Sequence, residues 1–427
     1  MFPPVFHILF AGIISFMIPA RSRYGEPGLL VYNDQIYNPN IKSVKLYADN
    51  GEPELILNPP IRPINQNYPF HLEFDELYED ARYYQAKIIL CNWDWTPSGL
   101  NSIEYLDAYN ETDITTSKYS VNTKIPYTHY SVILPEVKIP GNYLIYVYEQ
   151  GNPDNIILSR RYILYDDLLR ISPKLVISTG ISERSTHQQV EFTIDYKGVE
   201  SFIPQKDFVV VIRQNYSWVN VISGLAPTVV NEQQKILEYR HFNLENNFQG
   251  GNEYRYIDMR SSLTSGRNVA RLDVRPEGID AYAAIDKPRS RESYGFWKDL
   301  DGAYYISTVD GNDATDEADY ILTHFFLQTG SRMNSDLYLY GEISLRQLLP
   351  EFRMSYVPDI GGYTVDVLLK EGYYEYHYLS SGKNYFEVEG NHFDTENVYD
   401  IIVYYRPFSR INQLAAGYVA FRTRDDG

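Results

Sequence analysis

The sequence is poor in cysteine and has no clustered histidine. Cys91 is the one cysteine in 427 residues, so no disulfide can form within the chain, and the eight histidines show no spacing typical of a zinc site. A single cysteine of this kind is most often a buried, unreactive side chain. We therefore expect no metal centre, and we expect Cys91 to be buried.

The sequence also lacks the short motifs that carry catalytic chemistry. It contains no G-x-S-x-G nucleophile elbow, no H-E-x-x-H zinc motif and no H-x-E…C-x-x-C pattern. The stretch VDGNDATDEADY, residues 309–320, offers carboxylates that could hold calcium, but it lacks the full spacing of a calcium loop and is interpreted as an acidic linker. These absences predict a protein that is not an enzyme and needs no cofactor.

Clustered basic residues are missing as well. The chain has 38 Lys and Arg against 56 Asp and Glu, a formal net charge of −18, and its basic residues are scattered. Nucleic acid and anionic membrane surfaces are therefore poor partners, because both require a concentrated positive patch. A protein partner with a positive surface remains compatible with this charge.

Long hydrophobic runs are absent after the first twenty residues. The apolar run at residues 5–18 is short for a membrane span but has the length of a signal-peptide core, and Arg21 and Arg23 follow it. We predict a signal peptide at residues 1–23. Because no later segment is apolar enough to span a bilayer, we expect an exported protein without direct membrane insertion.

Helical periodicity is nearly absent, whereas short alternating runs rich in Tyr, Val and Ile recur along the chain. Tyrosine, with 41 copies, has high strand propensity and can bury its ring while its hydroxyl stays hydrated. Many short strands bounded by turn residues predict an all-β protein of tandem immunoglobulin-like β-sandwich domains. We place an N-terminal domain at 28–168, a middle β domain at 171–313 and a C-terminal sandwich at 316–424.

The stretch NNFQGGNEYRYIDMRS, residues 246–261, raises the question of an active site. Glu253 and Asp258 could form the carboxylate pair of a glycoside hydrolase, but an odd separation places side chains on opposite faces of a strand. Gly250 and Gly251 open no helix and precede no Lys-Ser or Lys-Thr, so a phosphate-binding loop is disfavoured. We interpret the two glycines as a hairpin or loop, and we expect Arg255 to pair with a nearby acidic residue.

Two other stretches have both a structural and a functional interpretation. Trp93 and Trp95 are two residues apart, which places them on one face if they lie in a strand. Packing against a core before the turn TPSG is favoured over a sugar-binding or partner-binding surface. His129 lies among tyrosines in a predicted strand, and we expect it to be a hydrogen-bonded structural residue.

The C-terminal block resembles the glycogen- and starch-binding modules of the immunoglobulin-like E-set family. The second half of their pattern is matched by Leu369, Gly372, Tyr374 and Tyr376. The first half departs from the pattern, because no tryptophan follows the glycine in GEISLRQLLPEF. Stacking rings supply much of the affinity at such sites. The missing tryptophan disfavours sugar binding, but the match in the second half keeps a carbohydrate-binding protein of the cell envelope as the alternative function.

The chain as a whole resembles the plug proteins of the type IX secretion system of Bacteroidetes-type bacteria. Matching stretches run in order along nearly the whole mature chain and include CNWDWTPSGLNSIEYL, GGNEYR and EGNHFDTENVYDIIVYYRP. The resemblance gives the following family-signature residues a structural or interaction role: Trp93, Trp95, Gly250, Gly251, Asn252, Glu253, Arg255, Glu396 and Asn397.

This resemblance implies a function that composition alone does not. Members of the family are periplasmic proteins associated with the inner face of the outer membrane. They close the periplasmic opening of the outer-membrane translocon barrel in its resting state and leave it when cargo engages. The partner implied is therefore the type IX translocon barrel, bound reversibly through protein–protein contacts.

Overall fold

The structure of the chain is a computed structural model that describes residues 29–52, 56–78, 80–311, 313–408 and 412–424. The predicted signal peptide, residues 1–23, lies outside these ranges. Within them the regular structure is almost entirely β-strand, mostly in antiparallel pairs, which confirms the predicted all-β class with several β-sandwiches. Each sandwich is formed by two sheets that bury their apolar faces against each other.

The first sandwich is formed by residues 35–165. One sheet has the strand order β1-β10-β9-β5-β6, with β3 parallel to β10, and the other has the order β2-β4-β8-β7. A four-residue helix, α1 (Ser102–Tyr105), follows β5. The strands are β1 (Gln35–Ile36), β2 (Ile41–Ala48), β3 (Ile61–Pro63), β4 (Phe70–Glu76), β5 (Tyr84–Cys91), β6 (Thr112–Ile114), β7 (Thr116–Tyr119), β8 (Thr128–Ile133), β9 (Gly141–Glu149) and β10 (Asn152–Tyr165).

Alternation of side chains builds the core of the first sandwich. Buried and half-buried positions alternate along most of β5 and along β8, as expected for strands with one face toward a core. The rings of Phe74 and Tyr130 stack with centroids 5.0 Å apart, and Tyr84 meets Tyr130 edge to face at 5.2 Å. Burial of such rings supplies much of the driving force for packing the two sheets.

The second sandwich begins after the first. One of its sheets has the order β11-β12-β16-β15, with β17 also paired to β12, and its other sheet starts with β14 and β13. A short helix, α2 (Pro204–Asp207), leads into β13, and a 3₁₀ turn occupies Ile181–Glu183. The strands are β11 (Arg170–Ile177), β12 (His187–Asp195), β13 (Phe208–Gln214), β14 (Val221–Ser223), β15 (Val229–Asn231), β16 (Ile236–Tyr239) and β17 (Asn247–Gln249).

The third sandwich follows before the second is complete. One sheet has the order β18-β26-β21, with β23 on the far part of β26, and the other has the order β19-β20-β22-β25-β24. The 3₁₀ turns are Glu342–Ser344, Pro350–Phe352 and Pro358–Ile360. The strands are β18 (Arg255–Asp258), β19 (Val269–Arg275), β20 (Gly278–Ala283), β21 (Tyr304–Ile306), β22 (Tyr320–Gln328), β23 (Leu337–Tyr340), β24 (Ser355–Val357), β25 (Gly362–Lys370) and β26 (Gly372–Ser380).

The last two strands return to the second sandwich. β27 (Val398–Tyr405) pairs along the whole of β13, and β28 (Leu414–Arg422) pairs with β27. The resulting sheet, β14-β13-β27-β28, shares one core with the sheet that contains β12 and β16. The third sandwich is therefore an insertion between two parts of the second.

This topology corrects the predicted domain boundaries after residue 168. Strands at 255–283, placed in the middle domain, pair with strands of the third sandwich, and the strands at 398–422, placed in the C-terminal domain, complete the second. Strand periodicity reports which residues face a core, but it does not report which distant strand is the partner. The insertion was invisible to the sequence pattern for that reason.

A buried ion pair lies at the pairing of β13 with β27. Arg213 and Asp400 face each other across the two strands, and the Arg213 Nε–H donates to Asp400 Oδ1 at 3.1 Å while Nη2 bonds the other oxygen. Their side chains are 3% and 0% exposed. The pair thus joins residues far apart in sequence without access to water.

We expect Arg213→Met to destabilise the protein by about 3–5 kcal/mol, because Asp400 would remain as a buried and uncompensated charge. The double variant Arg213→Met with Asp400→Leu should recover much of that loss, since no charge is left unpaired. Denaturant unfolding of both variants and the wild type measures the difference. A double variant no more stable than Arg213→Met would contradict this account.

Candidate functional site

Two of the stretches that carry the family resemblance, GGNEYR and the start of EGNHFDTENVYDIIVYYRP, lie side by side in the structure. Residues 250–254 carry the chain from β17 in the second sandwich to β18 in the third, and residues 381–397 bring it back from β26 to β27. We call residues 250–254 the outgoing crossing and residues 389–397 the return crossing. Together they form the covalent junction between the two sandwiches.

The glycines of the outgoing crossing allow the two backbones to approach closely. A Cβ atom on Gly250 would overlap the carbonyl oxygen of His392, and one on Gly251 would lie 3.0 Å from the ring of Phe386. Gly251 also has a φ of +67°, a conformation that favours glycine. The His392 N–H then donates to the Gly251 carbonyl at 3.0 Å. Gly250 and Gly251 are therefore needed for contact between the crossings.

This geometry decides between the hairpin and the loop that the sequence left open. β17 and β18 belong to different sheets and do not pair with each other, so the Gly250-Gly251 step is a loop between sandwiches. The structure therefore has the predicted loop at the two glycines, and no hairpin. The two adjacent glycines correctly indicated a backbone that other residues would not fit. The reason they are needed is the close approach of the return crossing, which lies about 140 residues later in the chain.

Asn252 and Glu253 bind the return crossing through their side chains. Asn252 Nδ2 donates to the Glu389 carbonyl at 2.9 Å, and Glu253 Oε1 accepts the backbone N–H of Glu396 at 3.2 Å. The hydroxyl of Tyr294 donates to the same oxygen of Glu253. Both side chains are buried, Glu253 almost completely. They therefore act within the junction, away from solvent.

Arg255 is held by two acidic residues. Its Nε–H lies 3.0 Å from Glu389 Oε1 and its Nη1 lies 2.6 Å from Asp286 Oδ1. Arg289 also donates to Glu389, at 2.9 Å, and to the backbone carbonyl of Glu253, at 2.8 Å. Burial alone would raise the pKa of Glu389, but the two guanidiniums lower it far below its usual range. Glu389 is thus a buried carboxylate shared by two arginines.

The expectation that Arg255 pairs with a nearby acidic residue is therefore wrong. Its partners are 31 and 134 residues away in sequence. Glu389 is the residue that sequence analysis missed at this site, although it stands at the start of the quoted stretch EGNHFDTEN. The only sign in the sequence was a charged residue within a stretch that resembles the family. Its ion-pair partners could not be predicted, because they are distant in sequence.

Glu396 and Asn397 complete the junction from the return crossing. Glu396 Oε1 accepts from Arg422 at 2.9 Å. Asn397 Nδ2 donates to the Gly250 carbonyl at 2.8 Å and to Gln188 Oε1 at 2.9 Å, while its oxygen accepts from Asn215 at 2.8 Å. A fully bonded buried amide of this kind fixes the position of the backbone around it.

A group of carboxyls near the outgoing crossing has perturbed acidity. Burial raises the pKa of Glu253 to about 7, hydrogen bonds from Tyr294 and the Glu396 backbone oppose the rise, and the Glu396 carboxylate adds to it. Burial also raises the pKa of Asp299, with a further rise from Asp301, and it raises the pKa of Glu375, with a further rise from Asp299. Glu375 accepts the backbone N–H groups of Leu300 and Gly302.

Asp258, the proposed partner of Glu253 in a hydrolase, has a different environment. It binds Arg260 through both oxygens, at 2.9 and 2.7 Å, and these hydrogen bonds lower its pKa. Glu253 is buried against Tyr294 and the return crossing instead. The two carboxyls thus have separate partners, and their arrangement offers no support for acid–base hydrolysis.

Trp93 and Trp95 lie in a turn rather than a strand. β5 ends at Cys91, and Trp95 has a φ of +65°, so the shared strand face expected for the two rings does not exist. The Trp95 ring is buried and meets Trp218 of the second sandwich edge to face, with centroids 5.3 Å apart. The guanidinium of Arg161 lies 4.9 Å from the centre of the Trp95 ring. The ring therefore packs between two sandwiches.

The other residues considered from the sequence are buried or hydrogen-bonded within the protein. Cys91 is buried, and burial raises the pKa of its thiol to about 12. Tyr374 and Tyr376, the tyrosines of the E-set pattern, are each 2% exposed, so neither ring is available to stack on a sugar. His129 Nδ1 lies 2.7 Å from Asp75 Oδ1.

The described ranges hold neither a metal-binding cluster nor a membrane-spanning helix. No group of three or more His, Cys, Asp or Glu is arranged there to hold a metal ion. No helix in this part of the chain has the length and hydropathy to cross a membrane. The polar side chains of the two crossings bind mainly each other and the nearby backbone. Such an arrangement positions two sandwiches.

The fold and the junction define a class: a protein of three β-sandwiches, one inserted in another, joined by buried polar contacts. Residues 41–166, most of the first sandwich, match the family model described as type 9 secretion system plug protein 1st domain. The resemblance found in the sequence is thereby confirmed for this part of the chain, which is similar to the first domain of type 9 secretion system plug proteins.

Solved structures extend the likeness beyond the first sandwich. The crystal structure of a hypothetical protein from Parabacteroides merdae ATCC 43184 is 28% identical and superposes with a TM-score of 0.87. The match covers 92% of this chain and 100% of that chain. No curated protein matches the sequence. The likeness therefore extends over all three sandwiches.

The raised pKa of Glu253 leads to a prediction about pH. The folded state keeps a proton on Glu253 that the unfolded chain releases above about pH 4.5, so stability should fall as pH rises from about 4.5 to about 7. The change is on the order of 3 kcal/mol at most. Glu253→Gln cannot ionise and should lose this part of the slope.

Denaturant unfolding at several pH values measures this effect. Glu232→Gln, at an exposed position of the second sandwich, is the matched control and should keep the wild-type slope. Asp299 and Glu375 continue the decline at higher pH in all variants, because their pKa values are raised as well. Identical pH profiles for Glu253→Gln and the wild type would contradict the assignment.

Proposed function

We propose that this protein is a non-catalytic periplasmic subunit that closes the periplasmic opening of the type IX translocon barrel in its resting state. The observation that carries the proposal is the match of residues 41–166 to the first domain of type 9 secretion system plug proteins. The expected signal peptide and the lack of a catalytic motif are compatible with it. Docking is reversible, because cargo must displace the plug.

A plug has to resist being pulled through the opening it closes, and the buried contacts between sandwiches favour such a rigid body. Asp75 in the first sandwich accepts a hydrogen bond from Lys370 in the third at 2.8 Å, with side chains 1% and 2% exposed. The Tyr320 hydroxyl donates to the same carboxylate oxygen at 2.7 Å. Separating the sandwiches would leave these charges unpaired, which is costly.

A second contact joins the same two sandwiches. Lys45 Nζ lies 2.6 Å from Glu342 Oε2, and the ammonium also lies 4.0 Å from the centre of the Tyr304 ring. On the other side, an apolar cluster that includes Trp95, Val211 and Ile402 fills the space between the first and second sandwiches. Each sandwich thus contacts the other two. We infer that the three dock on the translocon as one unit.

Deletion of the gene in its native host tests the proposal. We expect the deletion strain to admit large antibiotics that the outer membrane normally excludes, and we expect restored exclusion when the wild-type gene is returned. The measurement is the minimum inhibitory concentration of such an antibiotic, with a small freely permeating antibiotic as control. The protein should also co-purify with the barrel from resting cells. No change in permeability together with no co-purification would refute the proposal.

The buried Cys91 makes a docking map possible. A thiol with a pKa of about 12 and 2% exposure should not react with maleimides, so one introduced cysteine would label selectively. Tyr83→Cys, Phe242→Cys and Leu263→Cys replace exposed residues of the first, second and third sandwiches, which are 76%, 82% and 71% exposed.

We expect at least one of these positions to label severalfold more slowly in the resting translocon than in the purified protein. The same position should regain its reactivity when cargo engages. The wild type, which has Cys91 alone, gives the background. Equal labelling at all three positions, free and in the complex, would contradict docking through any of these surfaces.

A further inference from the structure

A cavity of about 60 Å³ lies where the three sandwiches meet. A single water needs roughly 10–15 Å³ on this measure, so the cavity has room for a few waters or one small ion. The charged residues that line it come from all three sandwiches: Asp34, Arg160, Arg161, Arg213, Glu342 and Arg346.

Positive charge exceeds negative charge around this cavity. Four arginines line it against two carboxylates. Counting the ion-pair partners leaves the excess unchanged, because Asp400 compensates Arg213 and Lys45 compensates Glu342. The chain as a whole has a net charge of −18, so this local excess of two positive charges has the opposite sign to the charge of the protein.

The arginines of the first sandwich have unused donors. Asp34 lies 2.9 Å from the Nε of Arg161 and 3.3 Å from the Nε of Arg160, so one carboxylate serves two guanidiniums. Among the described residues, Nη2 of Arg161 and Nη1 of Arg160 make no hydrogen bond, and Nε of Arg160 has only the ion-pair contact with Asp34, although these side chains are only 7% and 8% exposed. Buried N–H groups without acceptors are costly, and an acceptor in the cavity would satisfy them.

Neighbouring side chains restrict what could enter. Trp95 and Trp218 form part of the wall, and the guanidinium of Arg213 lies 4.5 Å from the centre of the Trp218 ring. Nη1 of Arg346 already donates to the carbonyls of Asn215 and Asp301. The walls are thus fixed, and the space suits a compact anion with several acceptor oxygens.

We propose that this cavity binds one small free oxyanion, which links Arg160 and Arg161 of the first sandwich to the guanidiniums of the second and third. Planar guanidiniums recognise phosphate and carboxylate oxygens through paired hydrogen bonds. A bound anion would neutralise the excess charge and stabilise the arrangement of the three sandwiches. This site is independent of docking on the translocon.

Thermal unfolding with inorganic phosphate tests the site. At constant ionic strength, with chloride as the balancing anion, we expect a saturable rise in Tm for the wild type. Arg160→Gln should weaken phosphate binding by roughly tenfold or more, because it removes a charged donor while Asp34 keeps Arg161. Arg332→Gln makes the same change of charge at an exposed position and should bind phosphate like the wild type.

Replacing phosphate with acetate shows whether the site accepts carboxylates or only tetrahedral oxyanions. A saturable rise with both anions assigns carboxylates to the site, and a rise with phosphate alone assigns a tetrahedral oxyanion. No saturable rise with either anion, or equal phosphate affinity in Arg160→Gln and the wild type, would overturn the proposal.

A measurement on the wild type keeps the test valid if Arg160→Gln does not fold. Crystals grown without oxyanions and soaked in selenate should show an anomalous peak in the cavity beside Arg160 and Arg161. Water alone at that position, with selenate bound elsewhere or nowhere, would overturn the proposal.

Discussion

The architecture depends on the burial of the Glu389 carboxylate between Arg255 and Arg289. This charge has no access to water, so its stability relies on two guanidiniums that come from another part of the chain. Asp286 holds the other side of Arg255. If the return crossing moved away, two arginines and a carboxylate would lose their partners together. The junction is therefore specified by charge as well as by shape.

The same principle recurs where the first sandwich meets the others. Asp75 with Lys370 and Lys45 with Glu342 are ion pairs with little access to water that fix the first sandwich against the third, and apolar contacts around Trp95 fill the space between the first and second. Buried ion pairs add little net stability compared with apolar packing, but they penalise every alternative arrangement. A chain that must keep one shape under load, as a plug would, benefits from that penalty.

The sequence predicted the class of fold well, because alternation of apolar side chains is a local property. It also identified Gly250, Gly251 and Glu396 as special through family resemblance. The sequence did not predict which distant residue each of them contacts. Arg255 was expected to bind a neighbour because spacing reports only nearby residues, whereas its main partner is Glu389. The choice between a hairpin and a loop at the two glycines stayed open for the same reason, since their close contact is with the distant His392.

The insertion of one sandwich into another has a consequence for how the chain acquires its structure. β13 must wait for β27, which lies almost 190 residues later, before its sheet is complete. Long sequence separation slows the closing of such contacts. Until β27 has formed, β13 therefore has one open strand edge, and open edges favour aggregation. The second sandwich is therefore completed only by strands that follow the whole inserted third sandwich in the chain.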